Sequence, residues 1–231
     1  MRKLLASLTV LLVLLLAADR IGAYAAGTAI GGRLRTSAGL QRVPSVHITG
    51  FPFLTQAIGG RYARIDVQAD GLDRGGVRIS KATASLYGVQ VPLSAVLRQS
   101  VTSVPVERLS ARAVIAFVDL ASRGGDRSFT FASDGDRLRV TGRITVLGKT
   151  LSAGTTSTVR LAGRTLIITG KTVSVDGQQV GGAVGDAIAG ALDLRVPIGR
   201  LPYDLSLTGV HVEPGGVVVT ATSGPTVLTN H

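Results

Sequence analysis

"YARIDVQAD", residues 62–70, alternates strictly, with Ala63, Ile65, Val67 and Ala69 on one side and Tyr62, Arg64, Asp66, Gln68 and Asp70 on the other. A period of two belongs to a β-strand with one buried face, and it sets in from Val43 onward. Towards the C-terminus "DGLDRGG" predicts a turn, and "VRISKATASLYGVQVP" (77–92) a second, longer strand or a bulged pair. Beyond Pro105 the period changes. Val106, Leu109, Ala113, Phe117 and Leu120 recur every three or four residues, which predicts one helix of about four turns, ended by Arg123-Gly124-Gly125.

A β-rich half follows. "DRLRVTGRITVLG" (136–148) sets Leu138, Val140, Gly142, Ile144 and Val146 against Arg137, Arg139, Thr141, Arg143 and Thr145, so three arginines share one exposed face. "TSTVRLAGRTLIITGKTVSVDG" (156–177) supplies two strands around an Ala162-Gly163 turn. "GGAVGDAIAGALDL" (181–194) predicts a short helix through Val184, Ile188 and Leu192, and "YDLSLTGVHVEPGGVVVTATS" (203–223) two strands joined at Pro214-Gly215-Gly216. Strand, helix and then a meander of strands predict an α+β fold, with helices on one side of a curved antiparallel sheet. No internal repeat and no dividing linker is visible, so residues 27–231 read as a single domain.

In the other direction, "IGAYAAGTAIGGRLRTSAGL" (21–40) repeats small and apolar residues at Ile21, Ala25 and Ala29, and at Ile30, Leu34 and Ala38. This is helical spacing weakened by glycine, which leaves a loose amphipathic helix or a flexible tether. Upstream, Arg2 and Lys3 precede an apolar run from Leu4 to Ala18, closed by Asp19-Arg20. Residues 1–26 therefore read as an export signal peptide, with Ala23-Tyr24-Ala25 as the cleavage site, or as an uncleaved signal anchor. Either implies an exported, membrane-associated protein of the periplasm or cell envelope.

The chain has no cysteine, which excludes a disulfide framework, a thiol nucleophile and thiolate metal sites. Its 25 Lys and Arg against 14 Asp and Glu leave a net charge of +11, which draws the surface towards polyanions or anionic lipid. Nucleic acid is disfavoured, because there is no dense basic segment and no aromatic RNA-binding strand.

Enzyme motifs are missing as well: the sequence holds no H-E-x-x-H, G-x-S-x-G, Walker A or dinucleotide fingerprint. His47 and His211 sit inside apolar alternations, where hydrogen-bonded structural histidines are expected. Glu107 and Glu213 are the only glutamates available as a catalytic acid, and most of the aspartates lie in turns. Asp134 and Asp136 offer too few oxygens for calcium. No metal or cofactor is expected.

Three segments carry a resemblance. "VPSVHITGFPFLTQAIGGRYARIDVQADGL" (43–72) is similar to the opening signature of the secreted actinobacterial proteins related to lipomannan elongation factor A (LmeA). "YGVQVPLSAVL" (87–97) and "GRLPYDLSLTGVHVEPGGVVVTATS" (199–223) resemble that family's later segments more loosely. The resemblance implies a fold akin to the tubular lipid-binding (TULIP-like) proteins, with curved antiparallel sheet wrapped against one or two long helices around an apolar groove. It also implies a non-enzymatic envelope role: binding anionic phospholipid or phosphoinositide, and supporting a membrane mannosyltransferase that elongates lipomannan.

Within the signature, "GFPFLTQ" (50–56) spends two of the chain's five Phe on either side of a proline. Phe51 before Pro52 is held extended, so Phe51, Phe53 and Leu54 are expected to project from a stiff corner instead of entering a helix. The rings either plug the end of the core or line a lipid groove and dip into a bilayer. For the arginines, Arg61 and Arg64 beside the corner and Arg137, Arg139 and Arg143 on the later strand are equal candidates for a phosphate headgroup, against a merely solvated face. Two rivals to the lipid reading stay open: an envelope enzyme acting on glycan or lipid, and an adaptor that contacts the transferase without taking up lipid.

Overall fold

The computed structural model describes residues 2–74, 77–98, 101–121, 129–146, 149–199 and 201–229. In chain order the elements are α1 (Arg2–Ser37), β1 (Ser45–Thr49), α2 (Phe53–Gly59), β2 (Arg61–Arg74), β3 (Val77–Gln90), α3 (Leu93–Leu97), β4 (Ser103–Val106), β5 (Arg108–Ala116), α4 (Phe117–Ala121), β6 (Phe129–Asp134), β7 (Arg137–Val146), β8 (Lys149–Ala162), β9 (Thr165–Val175), β10 (Gln178–Val180), α5 (Gly182–Leu192), β11 (Leu194–Pro197), β12 (Ser206–Glu213), β13 (Gly216–Ser223) and β14 (Thr226–Thr229). The fold is α+β, with antiparallel sheets and one long helix. Two compact units divide it. The first comprises Met1–Asp70, Thr83–Ala111 and Ser223–His231, the second Gly71–Ala82 and Arg112–Thr222.

The first unit holds β1, β2 as far as Asp70, β3 from Thr83 and β5 as far as Ala111, and β14 pairs with β4 in a separate ribbon. β1 lies antiparallel to β2, with Val46 opposite Val67 and Ile48 opposite Ile65. The core here is Phe53, Ala57, Tyr62, Ile65, Leu86, Val89, Val106 and Leu109. Tyr62 was expected on the outer face of its strand. It is buried instead, because the start of β2 lies beside Phe53, whose ring centroid is 6.3 Å from that of Tyr62.

The glycines that weaken residues 21–40 as an isolated helix are what lets α1 pack. A Cβ on Gly27 would strike the Val46 carbonyl, and one on Gly31 would stand 2.6 Å from the Pro44 carbonyl oxygen. Each glycine costs about 1 kcal/mol of helix propensity relative to alanine, and close backbone approach to β1 offsets it. The buried positions of α1 are Asp19, Gly27 and Gly31; of the predicted positions Ile21, Ala25 and Ala29 are exposed while Ile30 and Leu34 are half-buried, so the packed face matches the predicted one only in part. Small side chains, not large ones, define it.

In the second unit the order is β10-β9-β8-β7-β6, with β11 also pairing β9, while β12 and β13 form the hairpin predicted around Pro214-Gly215. β7 pairs with β8 from Leu138↔Ser157 to Val146↔Lys149, and β8 pairs with β9 with a shift of register between Thr156 and Ser157. Leu138, Val140, Leu166, Ile168, Leu192 and Val217 are sealed in the core. α5 forms as predicted and buries Ile188 and Leu192, but Val184 faces solvent.

The helix expected over residues 106–120 is absent. Val106 ends β4, Leu109 and Ala113 belong to β5, and only Phe117 and Leu120 are helical, in the five-residue α4. Most of this stretch is instead extended in sheet, where neighbouring strands supply the backbone hydrogen bonds that a helix would make locally. β2 continues to Arg74, past the predicted turn at Asp70. Gly75-Gly76, the Arg123-Gly124-Gly125 stop, and the side chains of Ile144 and Val146 lie outside the described residues.

Ser157 is fully buried in this second core, and among the described residues its Oγ has no hydrogen-bond partner. An unpaired buried hydroxyl keeps its desolvation cost, so Ser157→Ala is expected to raise stability by about 1 kcal/mol, read as an increased Tm.

Candidate lipid-binding surfaces

The GFPFLTQ corner is held by its own residues and by α1. Gly50 has φ +120, and a Cβ there would come within 2.5 Å of the Gln56 amide. Gln56 Oε1 in turn accepts the Ala63 N–H at 2.9 Å, tying the corner to β2. Pro52 occupies the N-cap position of α2 and offers no side-chain oxygen. Asp19 supplies one from α1, its carboxylate accepting the Leu54 N–H at 2.8 Å while Arg20 pairs with its other oxygen at 3.0 Å. The corner therefore does enter a helix, contrary to expectation: Phe53 is the first residue of α2, and Gly60 with φ +64 ends it.

The two aromatic rings separate. Phe53 is only 7% exposed, packed beside Gly22 and Tyr62, whereas Phe51 is 62% exposed with the Arg20 guanidinium 5.0 Å from its centroid. Leu54 and Ile58 on α2 are exposed too. Of the two fates open to the rings, Phe53 takes the plug and Phe51 the surface. Sequence reasoning treated Asp19 only as the end of the apolar run. The absence of any capping side chain before "FLTQ" was the available hint that an acceptor had to come from elsewhere.

The basic candidates also divide. Arg61 is exposed at the start of β2, while Arg64 is half-buried, its Nε donating to Asp66 Oδ1 at 2.8 Å and one amino group reaching Ser85 Oγ at 3.4 Å. That hydrogen bond and the Asp66 charge push the Arg64 pKa further up, so its charge is permanent. Tyr87 beside it is flanked by two cations, with Arg64 at 5.4 Å and Arg108 at 4.3 Å from the ring centroid. In the second unit Arg137, Arg139 and Arg143 are all exposed on β7 while Leu138 and Val140 are buried, as the alternation predicted. Arg139 is engaged by Asp134 at 3.0 Å. Among the described residues no acid pairs with Arg61, Arg137 or Arg143.

His47 and His211 are exposed and hydrogen-bonded, His47 Nδ1 to Ser45 Oγ at 3.2 Å and His211 Nε2 to Glu213 Oε1 at 3.0 Å. One Arg112 amino group donates to both Glu213 oxygens at 2.7 Å. Arg112 first, and His211 second, hold the Glu213 carboxyl below its ordinary 4.5.

The sequence pattern of the LmeA-like phospholipid-binding family matches residues 17–222, most of the chain. The chain belongs to that family. The matched stretch takes in the GFPFLTQ corner, β7 with its arginines, and the β12–β13 hairpin, and it starts just before Asp19. No curated protein and no solved structure matches the chain.

Proposed function

We propose that this chain binds anionic phospholipid at a membrane of the cell envelope without catalysing a reaction, and that it supports lipomannan synthesis by a membrane mannosyltransferase. Membership of a phospholipid-binding family carries the reading. The net charge of +11 supports an anionic headgroup, at about 1 kcal/mol per cation near a negative leaflet. Arg61, Arg137 and Arg143 are the cations best placed to take a phosphate, since among the described residues none has an acid to give up. Arg64 and Arg139 would have to exchange an aspartate for it. Phe51 and Leu54 supply apolar contact, and acyl chain adds about 0.8 kcal/mol per buried methylene. The mannosyltransferase link rests on the resemblance.

The decisive experiment delipidates the full chain in non-ionic detergent and offers a mixture of phosphatidylinositol, phosphatidylglycerol and phosphatidylcholine, read by native mass spectrometry. A stoichiometric phospholipid is expected, with anionic species preferred and the preference weakened by high salt. Retention of no lipid above that of the empty micelle overturns the reading. Arg61→Gln, and separately Arg137→Gln with Arg143→Gln, assign the headgroup to one unit or the other.

Of the two glutamates that the enzyme alternative would use as its acid, Glu213 is held as a carboxylate at neutral pH by Arg112 and His211, which disfavours it as a proton donor there. Its depressed folded-state pKa contributes stability that is present above the unfolded value near 4.5 and lost as pH falls through the folded one. The Tm advantage of the native chain over Glu213→Gln is thus expected at pH 6–7, should shrink as pH falls past about 4.5, and should be gone once pH lies below the folded-state value. An advantage that persisted in acid would refute the pairing.

A further inference from the structure

We propose that α1 is a permanent membrane span kept in the finished protein, and that the corner bearing Phe51, Leu54 and Ile58 rests in the bilayer surface where α1 emerges. The occupant of this exposed apolar corner is lipid bilayer. The two halves of α1 differ in surroundings. From Leu4 to Leu16 every large apolar side chain is exposed, and the helix is long and apolar enough to cross a membrane. From Asp19 onward the same helix is built into the first unit. Asp19 caps α2, Gly22 adjoins the Phe53 ring, and Gly27 and Gly31 lie under the Val46 and Pro44 carbonyls.

The candidate processing site, Ala23-Tyr24-Ala25, lies inside the docked half. Cleavage there would strip Gly22 from the buried Phe53 and leave the Leu54 N–H without its acceptor. The family match starts at residue 17, so the pattern shared by the family includes residues that cleavage would discard.

The length of the apolar run brings in the corner. Fifteen residues from Leu4 to Ala18 rise about 22 Å, short of a hydrocarbon core of about 30 Å. Arg2 and Lys3 can snorkel at one end. At the other end the Asp19–Leu54 hydrogen bond sets α2 level with the top of the run, where exposed Ile21, Phe51, Leu54 and Ile58 extend the apolar band. Arg20 stacked on Phe51 adds the cation and aromatic ring that favour an interface.

This inference is separate from the lipid-uptake reading, because a retained span needs no bound lipid and a lipid binder needs no span. The first test is the intact mass of the chain from the carbonate-washed membranes of an exporting bacterium. A mass including residues 2–25 is expected, and a chain beginning at Ala26, or one released by carbonate, overturns the proposal. The second exploits the lack of cysteine. Single fluorophores are placed at Phe51→Cys, Ile58→Cys and Ser37→Cys in the full chain in nanodiscs of phosphatidylglycerol and phosphatidylcholine. Ser37 lies about 27 Å further along the helix from Asp19. Lipid-borne quenchers should act several-fold more strongly at positions 51 and 58 than at 37, and equal quenching at all three overturns the seating of the corner.

Discussion

Phe53→Ala is expected to lower stability by about 3–5 kcal/mol, a fall in Tm on the order of 10 °C in detergent, while Phe51→Ala stays within about 1 kcal/mol of the native chain. Both are phenylalanines flanking the same proline. The difference lies in what covers them. Phe53 is sealed by Gly22 of α1 and by Tyr62, so truncation leaves a cavity at the junction of α1, α2 and β2. Phe51 faces out under Arg20 and gives up only surface contact. The functional readout should run the other way, since Phe51→Ala removes an apolar group available to lipid. Equal losses of Tm for the two variants would show that the division of roles is wrong.

The second large effect concerns adjacent residues of one strand. Leu138→Ala is expected to cost about 3–5 kcal/mol, because Leu138 is fully buried in the core of the second unit. Arg137→Gln, one position earlier on the outer face, should change stability by less than about 0.5 kcal/mol. Its effect belongs to binding. If the β7 face meets the headgroup, neutralising Arg137 and Arg143 together should weaken preference for anionic lipid by about thirtyfold, at about 1 kcal/mol per cation. Thermal scans and competitive lipid binding on the same variants check both halves. An Arg137→Gln variant as unstable as Leu138→Ala would contradict the strand register.

Much of the fold was legible along the chain. β7 could be read because inward and outward positions alternate at a fixed local period, and Leu138 and Val140 against Arg137 and Arg139 follow it. α5 could be read from Ile188 and Leu192, four residues apart on one face. Residues 106–120 misled because apolar spacing at three and four arose from two strands and a short helix laid end to end. Periodicity reports which side chains seek cover, not where the backbone finds its hydrogen bonds. The same limit applied to the site. GFPFLTQ marked the corner, and the arginines were visible as a set, but nothing local distinguished Arg64 and Arg139, each held by an aspartate, from Arg61, Arg137 and Arg143.

Taken alone, the order of residues determined the cysteine-free basic character, the apolar run closed by Asp19-Arg20, the β-rich body and the family signature at its corner, because each is a matter of composition or short-range pattern. Tertiary structure decided the rest: Asp19 as the cap of a helix 35 residues away, glycines as the packing face of α1, one phenylalanine buried and its neighbour exposed. Those outcomes depend on what a distant segment lays over each residue, and burial is a property of the folded contact, not of the side chain that seeks it.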